Sequence, residues 1–325
     1  MKLKVLVTGA AGFIGSHLVE ELVKSGHEVK AFVRYNARSD WGWLQATSCL
    51  KDVSVFAGDI RDYDAVKEAA RGVDTVFHLA ALIGIPYSYV SPLAYIKTNV
   101  EGTYNVLQAA REEGLKRVMH TSTSEVYGTA RYAPIDEEHP LQAQSPYAAS
   151  KIGADQLALS FYRSFGLPVT VVRPFNTFGP RQSARAVIPT VITQLLQGKE
   201  VLRLGNLSPT RDFNYVRDTV SGMIKVGLSD HTTGQVVNVG SGRETSLMEV
   251  VELVKKITGA DATVEQEETR KRPPNSEVER LVCDNRRAQE ITGWAPRYSL
   301  EEGLRETISW FRENLHLYKT DLYNI

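Results

Sequence analysis

The sequence predicts an α/β protein, a doubly wound parallel sheet with a smaller C-terminal lobe, and three observations carry that prediction. Short β-branched runs alternate with apolar segments of helical period through the first half of the chain. A glycine cluster, Gly9-Ala10-Ala11-Gly12-Phe13-Ile14-Gly15, separates the first such run from the first helical segment. After Arg173 the alternation loosens into "PFNTFGPRQ" and, later, the proline-bearing "EETRKRPPNSEVER", where a second lobe would be added.

Strands are predicted over 4–8, 29–33, 53–57, 75–78, 117–121 and 169–173, each a short β-branched run. Helices are predicted over 14–25, 65–71, 94–113 and 147–165, where apolar residues recur at helical spacing. Beyond them, "VIPTVITQLLQG" reads as a helix and "GKEVLRLG" as a strand. The tail "SLEEGLRETISWFREN" reads as a closing helix capped by Ser299, with Glu302 three residues on. No internal repeat, heptad run or low-complexity tract interrupts this order.

Composition narrows the function. The 325 residues carry 38 acidic and 38 basic side chains, so bulk attraction to nucleic acid or an anionic membrane is excluded and an anionic ligand must be met locally. Cys49 and Cys283 are far apart, without metal-ligand spacing, and read as two reduced thiols with no metal site. The apolar run in "MKLKVLVTGAAG" is too brief for a signal peptide or membrane span, which makes the cytoplasm the expected location.

Between a strand and a helix, glycine has a specific use. Gly9, Gly12 and Gly15 let the backbone turn sharply and approach a pyrophosphate, while Phe13 and Ile14 open a helix whose free N–H groups face the anion. This is a Rossmann-type dinucleotide turn, so 1–175, with parts of 212–241, is expected to form the dinucleotide-binding domain. The remaining segments of 176–325 would form the substrate lobe. NAD-selective versions end the second strand in an acid that accepts from the ribose hydroxyls. Here "HEVKAFVRYNARSD" ends in Val33-Arg34, and Arg34 with Arg38 suits a 2′-phosphate, which favours NADP over NAD. Asp59, in "AGDIRD", is placed to accept from an adenine amino group.

Tyr147-Ala148-Ala149-Ser150-Lys151 follows Pro146, so Tyr147 and Lys151 share one helix face. An ammonium beside a phenol favours the phenolate and makes a base of the tyrosine. With the glycine turn, this pair makes the chain resemble the extended short-chain dehydrogenase/reductase family. The matching stretches are "VTGAAGFIGSHL", "AGDIRD", "FHLAA", "TNVEGTYNVLQAA", "TSTSEVYG", "SPYAASK", "RPFNTFGPR" and "RDFNYVRD", which together span nearly the whole chain.

The resemblance implies an enzyme that oxidises a nucleotide-linked sugar at C4 with a tightly bound, recycled nicotinamide dinucleotide. Tyr147 would take the 4-hydroxyl proton, Lys151 would hold the nicotinamide ribose, and Thr123 would hydrogen-bond the sugar oxygen. Ile60, Leu79, Ala80 and Ala81 would lie along the cofactor, and Asn99 would fix the central helix beside the site. A homodimer paired through the 94–113 and 147–165 helices is also implied.

Three outcomes share that oxidation: epimerisation at C4, decarboxylation of a 4-keto-uronic acid, and loss of water across C5 and C6. Glucose-type dehydratases carry Asp-Glu after the threonine, decarboxylases Ser-Glu, and epimerases usually no carboxylate there. This chain has Ser124-Glu125. The stretches "RYNARSDWGWL", "TSTSEVYGTARYAPIDEEHPLQAQSPYAASKIGAD" and "RLGNLSPTRDFNYVRDT" nevertheless resemble dehydratases acting on UDP- or GDP-linked N-acetylglucosamine in legionaminic-acid-type pathways. A related set forms an exo-glycal from UDP-N-acetylglucosamine. The expectation is therefore a 4,6-dehydratase in which Glu125 is the C5 base and Ser124 orients or relays.

A diphosphate needs placed cations in a neutral protein. Arg181, Arg211 and Arg280 are the candidates. Resemblance adds Asn176 for the diphosphate–sugar region, and Val187 beside the base.

Overall fold

The structure, a computed structural model, describes residues 2–319. The six expected strands form as β1 (Lys4–Thr8), β2 (Glu28–Arg34), β3 (Val53–Gly58), β4 (Thr75–His78), β5 (Arg117–Thr121) and β6 (Val169–Pro174). A seventh strand, Val236–Val239, completes one sheet in which every pairing is parallel. From β3 the order runs β2, β1, β4, β5, β6 and Val236–Val239. The sequence reading stopped at β6 and missed this edge strand. Only four residues long, it follows a return from the lobe through the Val216–Leu228 helix.

Alternation along β1 divides the core. Val5 and Val7 point into one cluster with Leu18, Val19 and Leu22 of the Phe13–Lys24 helix, while Leu6 points into the other, with Val76, Leu107 and Val118. Both faces are thus covered by helices, as a wholly parallel sheet requires. Winding reverses between β1 and β4, which opens a crevice at the C-terminal ends of the strands. Thr8, His78 and Thr121 end β1, β4 and β5 at this edge.

The expected 94–113 helix forms without a break over 92–112, but it is not α-helical throughout. A short α-turn, Pro92–Tyr95, passes into a π-helical segment, Ile96–Glu101, and then into an α-helix, Gly102–Glu112. The cause lies at Asn99, 1% exposed, whose side chain pairs with both backbone groups of Leu82 and with Ser150. A widened turn accommodates this cross-link, and such turns cluster at functional sites.

In the C-terminal lobe, the Val187–Leu196, Leu247–Thr258 and Leu300–Asn314 helices share a core with the sheet. The expected strand forms as Val201–Leu204, paired with Thr263–Gln266. Ser299 and Glu302 form the capping box read from the tail.

Candidate active site

The glycine turn is shaped for close approach. Gly9 has φ 72°, and a Cβ there would lie 2.9 Å from the Ala80 nitrogen; a Cβ at Gly15 would lie 2.1 Å from the Gly9 carbonyl oxygen. Exposed Gly12 starts the Phe13–Lys24 helix without a capping side chain, so the first N–H groups remain open to an anion. Thr8 Oγ1 accepts from the Leu79 and Ala80 amides, each at 3.1 Å, and so joins the turn to the end of β4. These residues fit a dinucleotide. Ala81 is half-buried beside them, and buried Ile60 fills the space over Gly102.

His78 extends the joint. Its Nδ1 lies 2.8 Å from Thr8 Oγ1 and its Nε2 3.1 Å from Thr103 Oγ1, whose hydroxyl donates to the Asn99 carbonyl at 2.6 Å. That chain fixes the tautomer: Nε2 donates and Nδ1 accepts. Burial pushes the His78 pKa far down and keeps the ring neutral. Arg34 and Arg38 are both exposed at the end of β2, and Asn36 Oδ1 accepts from the Arg38 and Asp40 amides to shape their loop. The Asp59 carboxylate is held by Arg61 through Nε at 2.9 Å and Nη2 at 2.6 Å, which lowers its pKa to about 2.

Tyr147 lies in the first turn of the Pro146–Phe165 helix, capped by Ser145. Lys151, one turn on, donates to the Thr121 carbonyl at 2.6 Å. Burial lowers the Lys151 pKa to about 8, partly opposed by Asp155. Burial raises that of Tyr147; its hydrogen bond with Thr123 pulls it back, and the charge of Glu125 pushes it up again. Ile85 and Tyr95 pack with the Tyr147 ring, flanked by Leu82 and Tyr89.

Glu125 stands on a shorter support. Thr123 caps a single 3₁₀ turn, Ser124–Tyr127, its Oγ1 accepting from the Glu125 amide at 3.2 Å. Thr123, Ser124 and Glu125 are 8%, 3% and 9% exposed, so the carboxylate sits inside the site with both hydroxyls. Gly128, at φ 65°, ends the turn where a Cβ would lie 2.5 Å from the Gln142 carbonyl oxygen. Behind it, the Tyr127 hydroxyl donates to Asn238 Oδ1 at 2.7 Å and accepts from Arg173 at 3.0 Å.

The predicted arginines separate. Arg211 is 5% exposed, bonded to the Thr210 carbonyl, and within electrostatic reach of Glu125. Arg280 is turned outward, with Nε and Nη2 held by Glu244 at 2.8 and 2.6 Å. Arg181 is also drawn away, to Glu20 at 2.9 Å and Ser16 at 3.2 Å on the first helix. Its φ of 70° turns the chain there, and the residue ties the lobe to the dinucleotide half. The cation that the sequence reading missed is Arg272. Its Nη1 and Arg211 Nη2 each lie 3.5 Å from Glu277 Oε1. Asn176 has a buried Oδ1 that no protein donor meets, as suits a residue aimed at a ligand. Val187 packs partly buried against the core at the start of its helix.

Hydrogen bonds also run from the packing around Tyr147 to the segment that carries Glu277. The Tyr89 hydroxyl lies 2.6 Å from Ser276 Oγ, and Ser276 donates to the Gln144 carbonyl. Tyr89 belongs to the packing around Tyr147, whereas Ser276 precedes Glu277. Among the described residues no group of three or more His, Cys, Asp or Glu is arranged to hold a metal ion, and no helix is long and apolar enough to cross a membrane.

Among known proteins, this fold is that of enzymes that modify nucleotide-linked sugars with a bound nicotinamide dinucleotide, and the chain is of that class. Residues 6–307 match the GDP-mannose 4,6 dehydratase family, to which the chain belongs. It is 36% identical to a UDP-N-acetyl-alpha-D-glucosaminuronate decarboxylase from Bacillus cytotoxicus, over 96% of this chain and 99% of that one. It is 36% identical to a UDP-glucose 4-epimerase from Mycolicibacterium smegmatis, covering 95% and 99%. The dTDP-glucose 4,6-dehydratase from Streptomyces venezuelae, solved with NAD bound, superposes with a TM-score of 0.88 at 32% identity, covering 98% and 99%. These relatives bear the names of three reactions, so membership alone does not choose among them.

Proposed function

We propose that the protein is a sugar-nucleotide 4,6-dehydratase acting on UDP- or GDP-linked N-acetylglucosamine. The observation that carries this reading is Glu125, a buried carboxylate two residues from Thr123 and electrostatically coupled to Tyr147. The "RYNARSDWGWL" segment, with its resemblance to N-acetylglucosamine-nucleotide dehydratases, supports the sugar.

The dinucleotide, when bound at the glycine turn, supplies the acceptor for the C4 hydride and its later donor to C6. Tyr147 takes the 4-hydroxyl proton, steadied through Thr123, while the Lys151 ammonium favours the phenolate. With C4 a ketone, the C5 proton becomes acidic and Glu125 removes it. The C6 hydroxyl leaves as water, its proton delivered by the Glu125 carboxyl, with Ser124 orienting the exchange. C5 regains a proton from solvent, Tyr147 gives up to solvent the one it took, and the balance over the cycle is loss of one water. Arg211 and Arg272 meet the diphosphate and Asn176 its junction with the sugar.

Decarboxylation is the second reading. It draws on the Ser124-Glu125 pair and on the decarboxylase relative, whose name specifies an N-acetylated uronate. Mass analysis after incubation with UDP- and GDP-N-acetylglucosamine decides between the readings. Loss of one water supports the dehydratase; an unchanged mass with a new stereoisomer replaces it with an epimerase, and loss of carbon dioxide from UDP-glucuronate with a decarboxylase. An exo-glycal product would mark the related 5,6-elimination.

NADP is favoured as cofactor because Arg34 and Arg38 are exposed at the end of β2 without an acid there. Arg34→Ala should weaken NADP binding and leave NAD binding near its original level. A homodimer through the Gly102–Glu112 and Pro146–Phe165 helices is supported by exposed Tyr104, Tyr162 and Phe165. Sedimentation at micromolar concentration tests it.

A further inference from the structure

Asp155 is a fully buried carboxylate that the chemistry above does not use. It lies one helical turn beyond Lys151, on the same face of the Pro146–Phe165 helix. Its Oδ2 accepts from Ser122 Oγ at 2.8 Å and from Arg173 Nε and Nη2 at 3.1 and 3.0 Å. His120 Nε2 lies 3.2 Å from Oδ1, off the angle of a hydrogen bond. Arg173, itself 2% exposed, also donates to the Tyr127 hydroxyl, which ends the turn carrying Glu125. One anion thus touches the residue before Thr123, the strand behind the site and, through Arg173, the Glu125 turn.

We propose that Asp155 is a positioning residue for both halves of the chemistry: its carboxylate is the counter-charge of Lys151, and its bond to Arg173 seats the Glu125 turn through Tyr127. A buried anion is costly unless it is paired. Around Lys151 stand His78 from β4, His120 from β5, and Tyr147 and Asp155 from its own helix, with Arg173 of β6 behind Asp155. Burial lowers both histidines, His120 to about 4, so neither is charged at neutral pH. Asp155 is the negative charge that opposes the burial of Lys151. The proposal rests on C4 oxidation by Tyr147 and Lys151, the step common to the dehydratase, decarboxylase and epimerase readings.

Cofactor reduction on addition of UDP- and GDP-N-acetylglucosamine, with UDP-glucose and UDP-glucuronate as further probes, is followed against pH in wild type, Asp155→Asn and Asp155→Glu. Lys151 must stay protonated, so its deprotonation forms the alkaline limb. Removing the charge of Asp155 lowers the Lys151 pKa and moves that limb down by about one pH unit or more, whereas Asp155→Glu restores it. A profile that loses amplitude with its limb unmoved overturns the counter-charge role. Tyr127→Phe keeps Asp155 and cuts the link from Arg173 to the turn. It should slow water loss about fivefold and leave cofactor reduction unchanged. Equal slowing of both steps, or of neither, overturns the seating role, and this variant decides even where Asp155→Asn does not fold. A wild type that reduces its cofactor with none of the four sugars would overturn the oxidation reading itself, and the proposal with it.

Discussion

Tyr147 and Glu125 are both buried in one site, yet they stand on unlike supports. Tyr147 is carried by a 20-residue helix capped at its start and cross-linked through Ser150 to Asn99. Glu125 is carried by a four-residue turn, held by Thr123 at one end and by a left-handed glycine at the other. The turn borrows its stability from distant residues: Asn238 and Arg173 behind Tyr127, Gln142 and Gln144 against Gly128. The Tyr147–Lys151 pair is therefore built into the scaffold, whereas Glu125, proposed to act after it, depends on contacts from several distant segments. Relatives named for three different reactions on one scaffold accord with that division.

The contrast breaks first at the oxidising pair. Tyr147→Phe or Lys151→Met should cut cofactor reduction about 10³-fold, in single-turnover absorbance of the reduced nicotinamide. Glu125→Gln should leave that reduction intact yet slow water loss about 10²-fold or more, measured by mass on the same mixtures; retained turnover would remove Glu125 from the mechanism. In the substrate lobe, Arg272→Ala should raise KM about tenfold, the scale of one charge-assisted hydrogen bond. Arg280→Ala, which loses only an exposed pair with Glu244, should stay within about twofold. The smallest effect on chemistry, but a clear one on stability, belongs to Gly128→Ala. Its added Cβ meets the Gln142 carbonyl in a left-handed backbone, at a cost of about 1–3 kcal/mol read from the denaturation midpoint.

The dinucleotide half was legible because its signals are local. Gly9, Gly12 and Gly15 act through their own backbone, and Tyr147 and Lys151 are neighbours on one helix, so spacing alone brings each set together. Six strands were readable for the same reason, each a run long enough to show its pattern. The lobe was not legible in this way. Arg280 and Arg272 look alike in the string, and what separates them is where Glu244 and Glu277 fall in space, 36 and 5 residues away in sequence. Arg181 pairs with Glu20, 161 residues distant, a partner that spacing in the string does not reveal. The π-helical turn at Asn99 also escaped, since apolar periodicity reports which face is buried and not whether one residue is pinned to a neighbouring loop.

The bond between Tyr89 and Ser276 bears on how a catalyst of the proposed kind, one that restores its own oxidant, would avoid stalling. Each cycle begins by moving two electrons out of the sugar and ends by giving them back. A ketone that diffused away midway would strand those electrons on the protein, which would then need some other carbonyl compound to become active again. In the proposed cycle, a tie between the Tyr147 packing and the chain that carries Arg272 and Glu277 would lengthen the stay of the half-processed sugar. Fidelity in such an enzyme is thus a matter of residence time as much as of recognition. Loss of that one hydroxyl, as in Tyr89→Phe, should appear as slow accumulation of reduced, inactive protein during prolonged turnover.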